Sequence, residues 1–337
     1  MINKITDKLP LLAGLLLFSF LCFVVPALYP DMFALSAPGV EVTISGGMSA
    51  GEAARAIKEA GAVRDANKLI RWMIKLGIDR SLKPGTYIIS PGNEISVARQ
   101  LKSAVPRTLN VTIIPGTRFA SLPGALGLPE ESLSGTILEA LSDINNFPSD
   151  LHGLLPDDPR DRIIFLLPET YSIAPGDSIA SQTVRRASGL WMERVGKLLP
   201  EDAGKKFTVE RGILASIVEG EAKIKEERPI LAGIFLNRVE KWMPLQSCAT
   251  VIYCWDELGI KKKSLTYKDL EIDSPYNTYK NYGLPPGPIS IPSQDSWISS
   301  LAPEKTDYLF FFATSSGSHI FSRTYEEHLE KQRKISE

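Results

Sequence analysis

Histidine and cysteine are both scarce in this chain, three of each in 337 residues. His152, His319 and His328 are too dispersed to form a recognisable metal-ligand motif, and no G-x-S-x-G elbow is present. Metal hydrolysis and serine-triad chemistry therefore have no sequence support, and neither a metal nor a cofactor is expected. Excess charge of one sign is missing too. Lys plus Arg total 38 against 39 Asp plus Glu, a net charge of −1, and no block of like charges stands out. That balance argues against nucleic acid as a partner. Of the cysteines, Cys22 falls in an apolar run, leaving Cys248 and Cys254. An extended chain would separate their Cα atoms by roughly 20 Å, against the ~4.4 to 6.8 Å of a disulfide. The β-branched Thr250, Val251 and Ile252 between them suggest no tight reversal, so two unpaired, partly buried thiols are expected.

Apolar sequence is plentiful at the N-terminus. Leu9 to Pro30 holds 22 residues without a charge, and about 20 suffice for a bilayer-spanning helix. Lys4 and Lys8 precede the run and Asp31 follows it, so the positive-inside rule places residues 1–8 in the cytoplasm, 9–30 in the cytoplasmic membrane and the remainder outside. Ala34, Ser36 and Ala37 leave a cleaved signal peptide as the alternative, although the run is longer than a signal's apolar region. Leu21 before Cys22 disfavours lipid attachment.

The exported part reads as α+β. An apolar strand, a Pro-Gly or Gly-Gly turn and a helix-like stretch recur at V-T-I-S-G-G-M-S (42–49), T-Y-I-I-S-P-G-N-E-I-S (86–96), V-T-I-I-P-G-T (111–117) and T-Y-S-I-A-P-G-D-S-I (170–179). Ser49 and Ser178 are positioned to cap the helices that follow. Ala50 to Leu76 carries an apolar helical face broken near Gly61. The expected division is a small α+β module at 31–105, a connecting strand and helix region at 106–204, and a last α+β domain at 205–337. Pro148 to Asp161 reads as a loop. A helix pair is expected at 208–241, then mixed loop and strand to about 295, a strand turn, and a polar terminal helix.

Within the helix pair, L-A-S-I-V-E-G-E (214–221) sets two carboxylates two residues apart. On a wheel of about 100° per residue with Ile213 at zero, Glu221 falls at about 80°, inside the apolar stripe, and Glu219 at about 240°, beside Ala215 and Ser216. Aliphatic surroundings penalise an ionised carboxyl, which makes Glu221 the candidate acid. An ion pair of Glu221 with Arg228 or Arg238 is the competing structural reading.

Four longer stretches lie downstream: E-E-R-P-I-L-A-G-I-F-L-N-R-V (226–239), M-P-L-Q-S-C-A-T-V-I-Y (243–253), S-P-Y-N-T-Y (274–279) and Y-G-L-P-P-G-P-I-S-I-P (282–292). With F-L-L-P-E-T-Y (165–171) and the N-terminal run, they resemble the MltG, or YceG-like, endolytic murein transglycosylases. The first module resembles the glycan-binding LysM module. The resemblance implies cleavage of β-1,4 bonds between N-acetylmuramic acid and N-acetylglucosamine in nascent peptidoglycan glycan strands, leaving 1,6-anhydro ends, with peptidoglycan synthases as candidate partners. It places the catalytic acid on the second glutamate, Glu221. A hydrolase needs a second carboxylate, whereas a transglycosylase uses the sugar's own 6-hydroxyl, held in place by proximity.

Candidate glycan contacts are Glu219, Asn237, Gln246, Tyr276, Asn277 and Tyr279, since amides bond sugar hydroxyls and aromatic faces cover sugar rings. Asn277 is equally suited to organising its own loop through an Asx-turn. His319 reads either as a cleft residue or as part of a hairpin hydrogen bond. This chain departs from the family pattern at Ala222, where a Thr or Ser is common, and at Cys248, where an Asp is usual. Two rival readings are a non-catalytic peptidoglycan-binding anchor and a muramidase pairing Glu221 with Asp269 or Asp273.

Overall fold

The computed structural model describes residues 39–45, 47–127, 133–174, 179–262 and 264–336. The expected cytoplasmic tail and membrane span, with Cys22, and the Ser178 cap lie outside the described residues. Among the described residues, no helix is long and apolar enough to cross a membrane. The chain divides into two compact units, the first Met1–Thr108 with Ala174–Gly176 and the second Leu109–Ile173 with Asp177–Glu337.

In the first unit, β1 (Val40–Ile44) is followed by α1 (Ala50–Glu59), α2 (Ala66–Lys75), β2 (Gly85–Ile89) and α3 (Glu94–Ser103). Ser49 starts α1 with a capping box: its hydroxyl accepts from the Glu52 amide, and the Glu52 carboxylate accepts from the Ser49 amide at 2.7 Å. β1 and β2 pair antiparallel with Val42 opposite Tyr87. That register puts Val42, Ile44, Tyr87 and Ile89 on the face covered by Ala54, Ile57, Leu69 and Met73.

The second unit opens with β3 (Leu109–Thr112), α4 (Leu122–Ala125), α5 (Leu133–Ser142), β4 (Thr170–Ile173) and α6 (Ile179–Arg194). β3 and β4 are antiparallel. Between α5 and β4, the segment expected as a loop forms two 3-10 helices, Ser149–Leu154 and Pro159–Phe165. Their proline starts suggested a loop, but Leu151, Ile164 and Phe165 are fully buried and hold the turns against the core. The rest comprises α7 (Lys205–Glu221), α8 (Arg228–Glu240), α9 (Cys248–Glu257), α10 (Gln294–Leu301), the antiparallel hairpin β5 (Phe310–Ala313) and β6 (His319–Ser322), and α11 (Tyr325–Ser336).

Residues of the expected connecting region share one core with the C-terminal part. Phe165, Trp191 and Trp297 meet edge to face around it, with ring centroids 4.8 Å and 5.1 Å apart for Trp191 against each of the others. The Trp297 indole donates to the Ile164 carbonyl at 3.1 Å. A second core gathers Leu214, Ile217 and Val218 of α7, Leu231 and Phe235 of α8, and Ile289. α7 thus lies between two cores, and every residue from Gly212 to Val218 is buried. The wheel assumed one solvent face. Small residues on the supposed outer side, Gly212 and Ser216, instead admit close neighbours, Trp297 beside Gly212 and the Ile289 amide on Ser216, and Gly220 admits Ala249.

A strand-like reading of Thr250 to Ile252 is likewise replaced, by α9. Burial of Val251 and Cys254 on one side, and the Thr250 hydroxyl donating to the Ser247 carbonyl, outweigh the small helix penalty of β-branched residues. Cys248 is exposed, Cys254 is buried, and both are free thiols.

Candidate active site

Glu221 is the last residue of α7, and Ala222 leaves the helix in an extended conformation. Its Oε1 accepts from the Ser247 hydroxyl in a short hydrogen bond and from the Ala249 amide at 3.1 Å. The carboxylate therefore sits at the N-terminus of α9, where free amides and the helix dipole favour negative charge. Oε2 has no hydrogen-bond partner among the described residues. Glu221 is half-buried.

Ser247 is itself fixed. It is fully buried, its amide donates to Thr278 Oγ1 at 3.0 Å, and Thr278 Oγ1 lies 2.8 Å from Thr250 Oγ1. The preceding residue, Gln246, has φ of 48°, unusual for a non-glycine, and is held by its amide to the Thr278 carbonyl at 3.0 Å. The S-P-Y-N-T-Y loop thus anchors the turn that aims Ser247 at Glu221. Ala222, where a hydroxyl residue was expected to matter, is 6% exposed within the apolar cluster. The hydroxyl contact to Glu221 comes from Ser247.

The two arginines weighed as partners of Glu221 are engaged elsewhere. Arg238 is buried and donates to the carbonyls of Leu309 and Leu245, each at 2.7 Å. Arg228 pairs with Glu219 Oε1 at 3.2 Å. Glu219, expected to point outward, has only 7% of its side chain exposed. Its Oε2 accepts from the Ser293 amide at 2.9 Å, the Ser296 hydroxyl at 2.8 Å and the Ser293 hydroxyl. This carboxylate caps the start of α10 and ties the end of α7 to it. Of the two roles open to Glu219, support of the neighbouring chain or of substrate, its partners serve the first, and its side chain is turned inward where the wheel put it outward.

The other predicted contacts separate into two groups. Asn237 and Asn277 serve the scaffold. Asn237 donates to the carbonyls of Thr306 at 2.7 Å and Tyr308 at 3.2 Å. Asn277 is fully buried, donates to the Leu270 and Ile272 carbonyls at 2.8 Å each, and accepts from the Tyr279 amide at 3.0 Å, which is the Asx-turn alternative. Gln246 is exposed and Tyr276 and Tyr279 are half-buried, so these three keep surface to offer a ligand. The Tyr279 hydroxyl lies 3.2 Å from Cys248 Sγ, and burial raises the pKa of the tyrosine, keeping it neutral. Burial pushes Tyr276 up to about 12. Its ring packs against Tyr253 at 4.8 Å.

Asp269, a proposed second carboxylate, is engaged by Lys262 at 2.7 Å and by the Thr266 amide and hydroxyl at 2.8 Å each. The Lys262 ammonium leads these in pulling it down to about 2. It caps a turn and stays ionised, whereas Asp273 is exposed. His319 Nδ1 lies 2.7 Å from Glu227 Oε2, and its amide donates to Oε1 at 2.9 Å, so it ties the hairpin to the start of α8. The sequence reading missed Ser247, Thr278 and Ser293, and set Arg228 against Glu221 where it pairs with Glu219. Only Ser293 carried a local signal, as the residue preceding the apolar α10.

Residues 42–334 match the model of the YceG-like family. An endolytic murein transglycosylase from Bacillus subtilis (strain 168) is 30% identical over 301 residues, 86% of this chain and 82% of that protein. Another, from Streptococcus pneumoniae serotype 2 (strain D39 / NCTC 7466), is 36% identical over 168 residues, 49% of this chain and 30% of the longer relative. The crystal structure of a yceG-like protein from Listeria monocytogenes superposes with a TM-score of 0.55 at 29% identity, covering 88% of this chain and 100% of the other.

Proposed function

This chain belongs to the YceG-like family, and from that membership we propose that it is an endolytic lytic transglycosylase that cleaves peptidoglycan glycan strands. The observation that carries the reading is the asymmetric hold on Glu221, with Oε1 bonded to Ser247 and Ala249 and Oε2 unbonded. A proton on Oε2 passes to the oxygen linking N-acetylmuramic acid to N-acetylglucosamine, and the bond from that oxygen to the muramyl C1 breaks. The muramyl 6-hydroxyl oxygen then bonds to C1, and its proton goes to the Glu221 carboxylate, which restores the acid. No water is consumed, so no second carboxylate is required. The two donors on Oε1 support the carboxylate while its proton is away. Tyr279, Tyr276 and Gln246 are the proposed glycan contacts, with Cys248 beside Tyr279 where the family pattern has an Asp.

Finer points belong to the same proposal. Residues 9–30 form an uncleaved membrane anchor, the rest faces outside the cytoplasmic membrane, and peptidoglycan synthases work alongside. The strand, helix, helix, strand order of the first unit supports a LysM-like glycan-binding role. Incubating the full chain with uncrosslinked glycan strands and reading products by mass spectrometry tests the reaction. Anhydro ends from the wild type and none from Glu221→Gln are expected. Reducing ends in their place would establish a muramidase, and no cleavage a binding protein. Membrane fractionation followed by intact-mass measurement tests the anchor, which is refuted by loss of the first thirty-odd residues.

A further inference from the structure

Among the described residues, four helices close with the same C-terminal hydrogen bonds. In each, the residue after the cap donates back to the last turn and so does the next residue. The first donor is Gly61 after α1, Gly77 after α2 and Gly259 after α9, each at positive φ as this motif requires. After α8 it is Trp242, with φ of 53°, its amide on the Val239 carbonyl at 3.2 Å and the Met243 amide on the Arg238 carbonyl at 2.8 Å. A bulky side chain is strained in this conformation, which glycine adopts freely. Trp242 is also 82% exposed, so no core packing offsets that strain.

The surroundings indicate what the indole is for. Pro244 bridges antiparallel to Tyr282, a second large aromatic that is 63% exposed. From Pro244 the chain runs through Leu245 and Gln246 to Ser247, which holds Glu221. Four residues separate Trp242 from Ser247, five steps of chain that span at most about 17 Å. Leu236 and Val239 of α8 and the Leu284 to Pro286 segment after Tyr282 line a groove of about 860 Å³, with Asp161 and Glu210 among its polar groups. Trp242 follows Val239 by three residues and Tyr282 precedes Leu284 by two, so two exposed aromatics adjoin in sequence the lining of a groove that holds Lys205, Lys206 and Arg211 beside its carboxylates. Such a mix suits a sugar polymer, whose C–H faces cover rings and whose hydroxyls and amides bond to charged groups.

Resting on the transglycosylase reading, we propose that Trp242 and Tyr282 form a distal glycan subsite that grips the strand several sugars away from the cleaved bond and favours long strands over short ones. The test compares the full-length chain with its Trp242→Gly, Trp242→Phe and Tyr282→Ala variants on two substrates. These are long uncrosslinked glycan strands and a tetrasaccharide of alternating N-acetylmuramic acid and N-acetylglucosamine. Glycine suits the backbone at 242, so that variant removes the ring without adding strain. The expected result is a long-strand kcat/KM about tenfold lower for Trp242→Gly, the factor for roughly 60 Å² of apolar surface leaving water. Tyr282→Ala should lower it in the same direction, Phe at 242 should restore most of it, and the tetrasaccharide rate should hold. Equal losses on both substrates, or no loss on either, overturn the subsite, and the second leaves a protein partner as the occupant. If the wild type forms no anhydro ends, the transglycosylase reading fails separately. Strand binding by Glu221→Gln with and without Trp242→Gly then decides the subsite, and unchanged binding overturns it.

Discussion

Oε1 of Glu221 takes two donors from one turn of chain, the Ser247 hydroxyl and the Ala249 amide. Losing the acid itself is expected to lower the rate of anhydro-end formation by roughly 10²-fold to 10⁴-fold in Glu221→Gln. Ser247→Ala keeps the acid and removes one charge-assisted hydrogen bond, so kcat should fall about tenfold with KM little changed. Initial rates from product mass spectrometry check both, and a KM rise without a kcat loss would speak against Ser247 as a positioning residue. Of this pair, Glu221 was singled out in the sequence, by a helical period that left an arginine ion pair as its rival and then by the family resemblance. Ser247 was not, since it stands 26 residues downstream and nothing local marks a serine as a carboxylate's donor.

α7 shows what a helix does when both of its sides are covered. Gly220 would gain about 1 kcal/mol of helix propensity on becoming Ala. A Cβ there, however, would lie 2.7 Å from the Ala249 Cβ, and overpacking of that kind costs about 1 to 3 kcal/mol. Crowding wins, and it acts on the helix whose amide holds Glu221. Gly220→Ala should therefore lower both the urea midpoint and kcat, and retention of full activity would show that α9 yields without moving the site. Glu219 belongs to the same scale. Removing it as Glu219→Ala leaves Arg228, 13% exposed, with Asp295 at 3.9 Å and the Ser293 hydroxyl at 2.9 Å, so the loss in urea-unfolding stability should fall below the about 3 to 5 kcal/mol of a buried pair broken outright. The helix α7 was legible from its period, but Glu219 was read as outward because Gly212, Ala215 and Ser216 carry little hydrophobicity. Small residues mark close packing as well as exposure, and a wheel does not separate the two. α9 was misread for a related reason: β-branched residues signal strands only until burial and a hydroxyl-to-carbonyl bond decide otherwise.

Across the whole molecule, the α+β character and the strand, helix, helix, strand order of the first unit were legible from strand, turn and cap signals. The union of the 106–204 region with the last domain was not, because it depends on Trp297 reaching the Ile164 carbonyl, a contact 133 residues apart in sequence. That same region carries a measurable consequence for global stability. Asp161, on the 3-10 helix Pro159–Phe165, is pushed up to about 6 from its ordinary 3.8, first by burial and then by Asp158, against the opposing charge of Arg160. Between those two values the folded protein keeps a proton that the unfolded chain has released. Stability therefore falls as pH rises from about 3.8 to about 6 and levels off above. Asp269 is held down to about 2, so the stability it contributes is present above its unfolded value of 3.8 and is lost as pH falls, below the Asp161 window. Solvent screening of a partly exposed group reduces the Asp161 effect to about 1 kcal/mol. Asp161→Asn should flatten the decline between pH 4 and 6 and raise the urea-unfolding stability at pH 7 by that amount. A variant that keeps the wild-type slope over the window would assign the decline to another group.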